Sequence, residues 1–179
     1  MFPRSIITAK LSLQQINLDD AVAVYKNWAS DPLVTKYLIW RPHKSVSDTY
    51  RYIKYCLYGW KNQTEFTWLI IERKTGEPIG AFAARPDIPS VEIGFVLSRG
   101  SWNKGYMTEV VQHFIDYVIS IPGFSRVWAV CDIENAASER VLIKSGMDRE
   151  GILKSWAIHP NISDKPRDCL CYSHTRPGA

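Results

Sequence analysis

Residues 91–119 hold the segment whose residue types and spacing could do chemistry. A run with Val91, Ile93, Phe95 and Leu97 on one face leads into Arg99-Gly100-Ser101-Trp102-Asn103-Lys104-Gly105-Tyr106-Met107-Thr108, and from there directly into a helical pattern. The first N–H groups of a helix have no partner inside it, and the helix dipole concentrates partial positive charge at that end. Gly105 lets the backbone come close to a ligand, so this end is built like a cradle for a phosphate or pyrophosphate. The chemistry narrows by exclusion. A Walker A loop would need Lys at 106 and Ser or Thr at 107, where this chain has Tyr106 and Met107, and no Gly-x-Gly occurs for a Rossmann turn. Which anion the loop takes, or whether it takes one, stays open at this level, since many strand-to-helix turns bind nothing.

Other reactive side chains are dispersed. The cysteines are Cys56, Cys131, Cys169 and Cys171; there is no C-x-x-C pair, and the four histidines are spread out. That pattern points to no metal site and to buried, reduced thiols in a cytoplasmic protein. No Cys-His or Ser-His pairing is visible that would make a covalent acyl-enzyme.

The elements that must position the loop follow from periodicity. Residues 6–16 alternate loosely and read as one strand. Asp19 and Asp20 open a helix through Val22, Val24, Tyr25 and Trp28, and a short helix follows Asp31-Pro32. Ser47, with Tyr50, Ile53, Leu57 and Trp60, gives a third. Residues 66–72 and 78–84 flank the Lys74-Thr75-Gly76 turn as a hairpin, and 91–97 is the next strand. The strongest helix carries Met107, Val110, Val111, Phe114, Ile115 and Val118 up to Pro122-Gly123. A strand at 126–131, a helix from Asn135 to the Gly146 stop, and strands at 151–159 and 167–174 complete a mixed α/β sheet in one domain, 1–179.

Composition agrees with one globular α/β domain. The 179 residues are 46% hydrophobic and 22% charged, too apolar for a disordered chain, and carry 22 Lys and Arg against 18 Asp and Glu. The resulting charge of +4 is scattered, with no basic stripe of the kind that tracks a nucleic-acid backbone. No apolar run reaches the ~20 residues of a membrane span, and no signal-peptide pattern opens the chain.

Taken together, Glu92-Ile93-Gly94-Phe95-Val96-Leu97, Trp102-Asn103-Lys104-Gly105-Tyr106-Met107-Thr108-Glu109, Asn135-Ala136-Ala137-Ser138 and Lys144-Ser145-Gly146-Met147 resemble the GNAT superfamily of acyl-CoA-dependent N-acyltransferases. Leu38 through His43, Asp48-Thr49 and Arg167 through Tyr172 extend the likeness, which is greatest to the ribosomal-protein-alanine N-acetyltransferase subgroup. The family's loop pattern is Q/R-x-x-G-x-G/A. Trp102 and Met107 depart from it and Gly105 matches, and backbone N–H donation survives both departures.

The resemblance implies a single-domain α/β GNAT fold: a mixed, mostly antiparallel seven-stranded sheet flanked by helices, with splayed central strands that bind acyl-CoA. It implies acetyl-CoA as cosubstrate, held by Trp102, Asn103, Lys104, Gly105, Tyr106, Met107 and Thr108, with the N–H groups of Phe95, Val96 or Leu97 near the thioester carbonyl. Asn135 matches the family asparagine that reaches the pantetheine, although Asn before a helix is equally a cap. Ser138 matches the subgroup serine that protonates the departing thiolate. The tyrosine used elsewhere in the superfamily would fall at Leu142. An attacking amine is mostly protonated at neutral pH and needs a base. Glu92, on the polar face of the central strand, is the candidate, acting through water, with a salt bridge as its structural alternative. His43 and His159 are loop histidines and candidates to line the acceptor side, with no specific role as the alternative. The expected reaction is direct acetyl transfer in a ternary complex to a primary amine, either a peptide N-terminus or a small amine such as an aminoglycoside or polyamine. A non-catalytic acyl-CoA-binding regulatory module is the alternative. Neither nucleic acid nor membrane is an expected partner, and the chain is expected to be a monomer or homodimer.

Overall fold

The alternating residues at the start of the chain fold back on themselves. In a computed structural model that describes residues 2–176, β1 (Ser5–Ile7) pairs antiparallel with β2 (Leu11–Gln15), Ile6 standing opposite Leu13. The single strand expected over 6–16 is therefore a hairpin. Its turn carries no glycine or proline; Thr8 closes it instead, its Oγ1 accepting from Leu11 N–H at 3.2 Å. Among the described residues there are thus eight strands, not seven.

Two compact units divide the chain. The first comprises the chain up to Thr35, Pro42–Arg85 and Phe95–Tyr106; the second comprises Lys36–Arg41, Pro86–Gly94 and the chain from Met107 on.

In the first unit β2 pairs with β3 (Phe66–Glu72) and β3 with β4 (Pro78–Asp87), both antiparallel. The aromatic residues of these strands make the core: Trp68 and Phe82 are fully buried, and Phe66 meets Trp60 edge-on at 4.9 Å between ring centroids. Asn17 and Asp20 cap a 3-10 turn that runs into α1 (Ala21–Val24) and a π-turn ending at Ala29, which together bury Ala21, Val24, Trp28 and Ala29. Asp31 accepts from Leu33 N–H at 2.9 Å to start α2 (Pro32–Thr35). α3 (Val46–Asn62) begins earlier than the apolar spacing implied, because Ser45 and Asp48 form a reciprocal capping box. Its inward stripe is Thr49, Ile53, Cys56 and Gly59, and Tyr50 points outward.

β5 (Ser90–Leu97) has its first half in the second unit and its second half in the first. In the first unit Ser98 N–H donates to Ile79 O at 2.7 Å, and Gly80 lies so close that a Cβ there would stand 2.2 Å from Val96 O. Backbone cannot yield as a side-chain tip can. Gly80→Ala is therefore expected to cost about 1–3 kcal/mol, read as a lower denaturation midpoint; an unchanged midpoint would mean that β4 and β5 are not held this close.

In the second unit β5 runs parallel to β6 (Arg126–Asp132), with Ser90↔Arg126, Val91↔Val127 and Glu92↔Trp128 as partners. A parallel pair needs a long crossover, and α4 (Tyr106–Ser120) supplies it; all six residues of its predicted stripe, Met107 to Val118, are buried. β6 pairs antiparallel with β8 (Arg167–Thr175), and β8 with β7 (Asp148–Ala157). α5 (Ala136–Lys144) connects β6 to β7, and the chain leaves it through Gly146 at φ +78°. Arg126 and Ser173 both bond Glu150, the guanidinium and then the hydroxyl holding its carboxyl down to about 2. Among the described residues no helix is long and apolar enough to cross a membrane.

Candidate active site

The loop after β5 is bonded within itself through both backbone and side chains. Arg99–Ser101 makes one 3-10 turn, Ser98 Oγ bonds Ser101 Oγ at 3.1 Å, and Trp102 Nε1 donates to Leu97 O at 2.8 Å. Asn103 (φ +60°) and Gly105 (φ +77°) are both left-handed, and they are the two residue types that reach that region most readily. A Cβ at Gly105 would meet nothing within 4 Å, so the space beside the loop is open. Tyr106 then starts α4, whose first N–H groups lack intrahelical partners. This backbone suits an anionic pyrophosphate by dipole and by access. Trp102 is 41% exposed, on the rim rather than in the core. Met107 is buried, so only its N–H is available to a ligand; Thr108 is half-buried and Glu109 stands in the first turn of α4.

Phe95, Val96 and Leu97 are half-buried on β5. Glu92, also half-buried, is the last residue of β5 in register with β6, opposite Trp128, and both strands run on past that pair.

Asn135 caps α5 and does more than cap. Its Oδ1 accepts from Ser138 N–H at 3.2 Å, and its Nδ2 donates to Ser138 Oγ at 3.0 Å. A hydroxyl that accepts on one side keeps its own hydrogen to donate elsewhere. One Nδ2 hydrogen of Asn135 is likewise left for a ligand. Leu142, one turn on, is fully buried and apolar. Tyr172, on β8, donates to Glu139 Oε1 at 2.8 Å; burial first and that carboxylate second push its hydroxyl up to about 12.

Residues 10–148 match the family model described as an acetyltransferase (GNAT) domain. The chain belongs to the GNAT acetyltransferases. It is 30% identical over 180 residues to the N-acetyltransferase YoaA of Bacillus subtilis (strain 168), covering 99% of each chain. The solved acetyltransferase (GNAT family) from Bacillus anthracis superposes with a TM-score of 0.82 at 26% identity, over 96% of this chain and 98% of that one. RimL, a ribosomal L7/L12 alpha-N-protein acetyltransferase solved in complex with coenzyme A, shares the fold with a TM-score of 0.83 at 17% identity, over 97% and 98% of the two chains. The protein is thus an acetyltransferase enzyme with the α/β GNAT fold.

One histidine reading changes in this GNAT chain. His159 does not line an acceptor surface. It is buried, with Nδ1 2.9 Å from Tyr37 O and Nε2 3.7 Å from Asp132 Oδ2 and 3.6 Å from Cys169 Sγ. A carbonyl only accepts, so Nδ1 carries the hydrogen toward Tyr37 O, and Nε2 faces both the Cys169 thiol and the Asp132 carboxylate. A Cys-His contact does exist, then, where the sequence displayed none. Burial, followed by the charges of Asp132 and Asp168, pushes the Cys169 thiol up to about 11, which leaves a protonated donor and not a nucleophile. His43 bonds Thr49 Oγ1 at 2.8 Å, and burial lowers its pKa.

The same region holds an ion pair that sequence reasoning missed. Asp132 is fully buried and accepts from Arg167 Nε at 2.6 Å and Nη2 at 3.1 Å. Burial alone would raise its carboxyl; the bonds from Arg167 and Glu134 N–H, with the guanidinium charge, outweigh it and leave the pKa below the usual range. Among the described residues no group of three or more His, Cys, Asp or Glu is placed to hold a metal.

Proposed function

We propose that this acetyltransferase moves the acetyl group of acetyl-CoA to a primary amine, the α-amine of a protein N-terminus, by direct attack in a ternary complex. The observation that carries the donor is the loop backbone: Asn103 and Gly105 left-handed, space open beside Gly105, and the N-terminus of α4 directly after it. The residues fit acetyl-CoA. The backbone N–H groups from Trp102 to Thr108 would hold its pyrophosphate, with Lys104 adding charge, and Asn135 would reach the pantetheine arm. When bound, acetyl-CoA supplies the activated acyl carbonyl. The N–H groups of Phe95, Val96 or Leu97 donate to the carbonyl oxygen, where negative charge develops. Glu92 takes a proton from the acceptor's ammonium through water; as the C–N bond forms and the C–S bond breaks, Ser138 Oγ–H gives a proton to the departing sulfur and is made good by the second proton that the nitrogen loses. Direct attack is favoured over an acyl-enzyme because the Cys-His contact among the described residues involves a buried thiol that stays protonated. The protein N-terminus as acceptor is supported by the likeness to RimL.

Acetyl-CoA-dependent release of thiol, followed over a panel of N-terminal peptides, aminoglycosides and polyamines, tests the reading. Turnover is expected with peptides carrying a free α-amine and is expected to vanish when that amine is blocked. Turnover confined to the small amines would move the acceptor assignment. Tight CoA binding with no turnover on any acceptor would favour a regulatory CoA-binding module.

A further inference from the structure

The joint between the loop and α4 is tied to a part of the first unit with no assigned role. Tyr106, first residue of α4, donates its hydroxyl to Oε1 of Glu72, the last residue of β3. The other carboxylate oxygen, Oε2, accepts from Thr75 Oγ1 at 2.9 Å. Glu72 is itself firmly seated. Its carbonyl accepts from Gly76 N–H at 2.8 Å and Thr75 N–H at 3.3 Å, and its N–H donates to Glu77 O at 2.9 Å, so the turn after β3 closes around it. Lys104 sits with its ammonium 5.9 Å from the Tyr106 ring centroid. The hydrogen bond from Tyr106, then that from Thr75, with Lys104 and Lys74 nearby, keep the carboxyl below its usual range, so Glu72 is charged at neutral pH.

A carboxylate next to an anion-binding loop works against the ligand by simple Coulomb repulsion. Its value must lie in what it holds. Left-handed residues at 103 and 105 give the loop its open backbone, yet Gly105 has no side chain to fix that backbone against its surroundings. A side chain anchored to a closed turn does fix it. We infer that Glu72 is a positioning residue for cosubstrate binding, acting through Tyr106 to hold the junction of the loop and α4 in its binding geometry. This rests on the loop being the acetyl-CoA site.

The test is the Kd for CoA by calorimetry, with the thermal midpoint of each variant measured alongside. Glu72→Ala is expected to weaken binding about tenfold, the scale of one charge-assisted hydrogen bond. Tyr106→Phe is expected to weaken it equally, and the double variant no further, because both remove the same link. Glu72→Gln keeps an acceptor and is expected to recover most of the loss. A repulsive bystander charge predicts the opposite sign: Glu72→Ala would tighten binding and Tyr106→Phe would leave it alone. A purely structural role would lower the midpoint without moving Kd. Either result overturns the inference. Gly105→Val separates it from its foundation, since strain at a left-handed position should abolish CoA binding if the loop is the site. If Gly105→Val binds CoA normally, the loop assignment falls and the inference with it. If Gly105→Val fails to bind while Glu72→Ala and Tyr106→Phe stay within twofold of the parent, the inference alone falls.

Discussion

Ser138→Ala is expected to lower turnover about a hundredfold, the low end of what a positioned general acid supplies, while the KM for acetyl-CoA changes little. The reason is local. Asn135 Nδ2 donates to Ser138 Oγ and so directs the hydroxyl hydrogen away from the helix cap. The backbone part of the cap, Ser138 N–H to Asn135 Oδ1, survives the substitution, so stability should hold. Ser138→Thr keeps a hydroxyl and should retain part of the activity. Single-turnover measurements at saturating acetyl-CoA separate the chemical step from product release. An alanine variant with parental turnover would remove Ser138 from the chemistry and leave Asn135 as a cap alone.

The second large effect is on stability. Arg167→Met is expected to lower the thermal midpoint by about 10 °C, because it leaves the fully buried Asp132 carboxylate without its cation. Removing both charges, in Asp132→Asn with Arg167→Met, should restore part of the loss, since a buried pair is worth far less than a buried orphan costs. A single variant within about 3 °C of the parent would show that the pair is not structurally required. Acid should act on the same link. The folded Asp132 pKa lies below the usual carboxylate value, so its contribution is fully present above that value and is lost as pH falls through the folded pKa. Glu150, held down to about 2 by Arg126, and Asp48, held down to about 2 by Arg51, lose theirs in the same direction. The denaturation midpoint is therefore expected to fall between about pH 4 and pH 2, and to be flat across the neutral range as far as these groups decide it.

What the sequence disclosed was what neighbours in the chain decide. The six apolar residues of α4 repeat at helical spacing and are all buried. Asn103 and Gly105 adopt left-handed backbone because Asn tolerates it and glycine has no Cβ to oppose it. Asn135 precedes a helical run and caps it. What stayed hidden depended on distant partners. The Thr8 turn looked like continued strand because a threonine hydroxyl, not a glycine, closes it. His159 and Cys169 lie ten residues apart, and only the approach of β8 to the loop before it brings imidazole and thiol together. Glu72 and Tyr106 are separated by thirty-four positions, and neither carries a local mark of the other. Asp132 lies just past the strand expected at 126–131, and its partner Arg167 is thirty-five positions away.

The four cysteines have a practical consequence at the bench. All of them are buried, and desolvation leads the causes that raise each thiol, to about 11 for Cys56 and Cys169 and about 12 for Cys131. Sulfhydryl dyes and alkylating agents react with exposed thiolates. Such a reagent added to the native enzyme near pH 7 should therefore report free CoA as it forms, with little colour from the protein, and full labelling of the four should accompany unfolding. The same chromophore can thus follow catalysis in one cuvette and denaturation in the next.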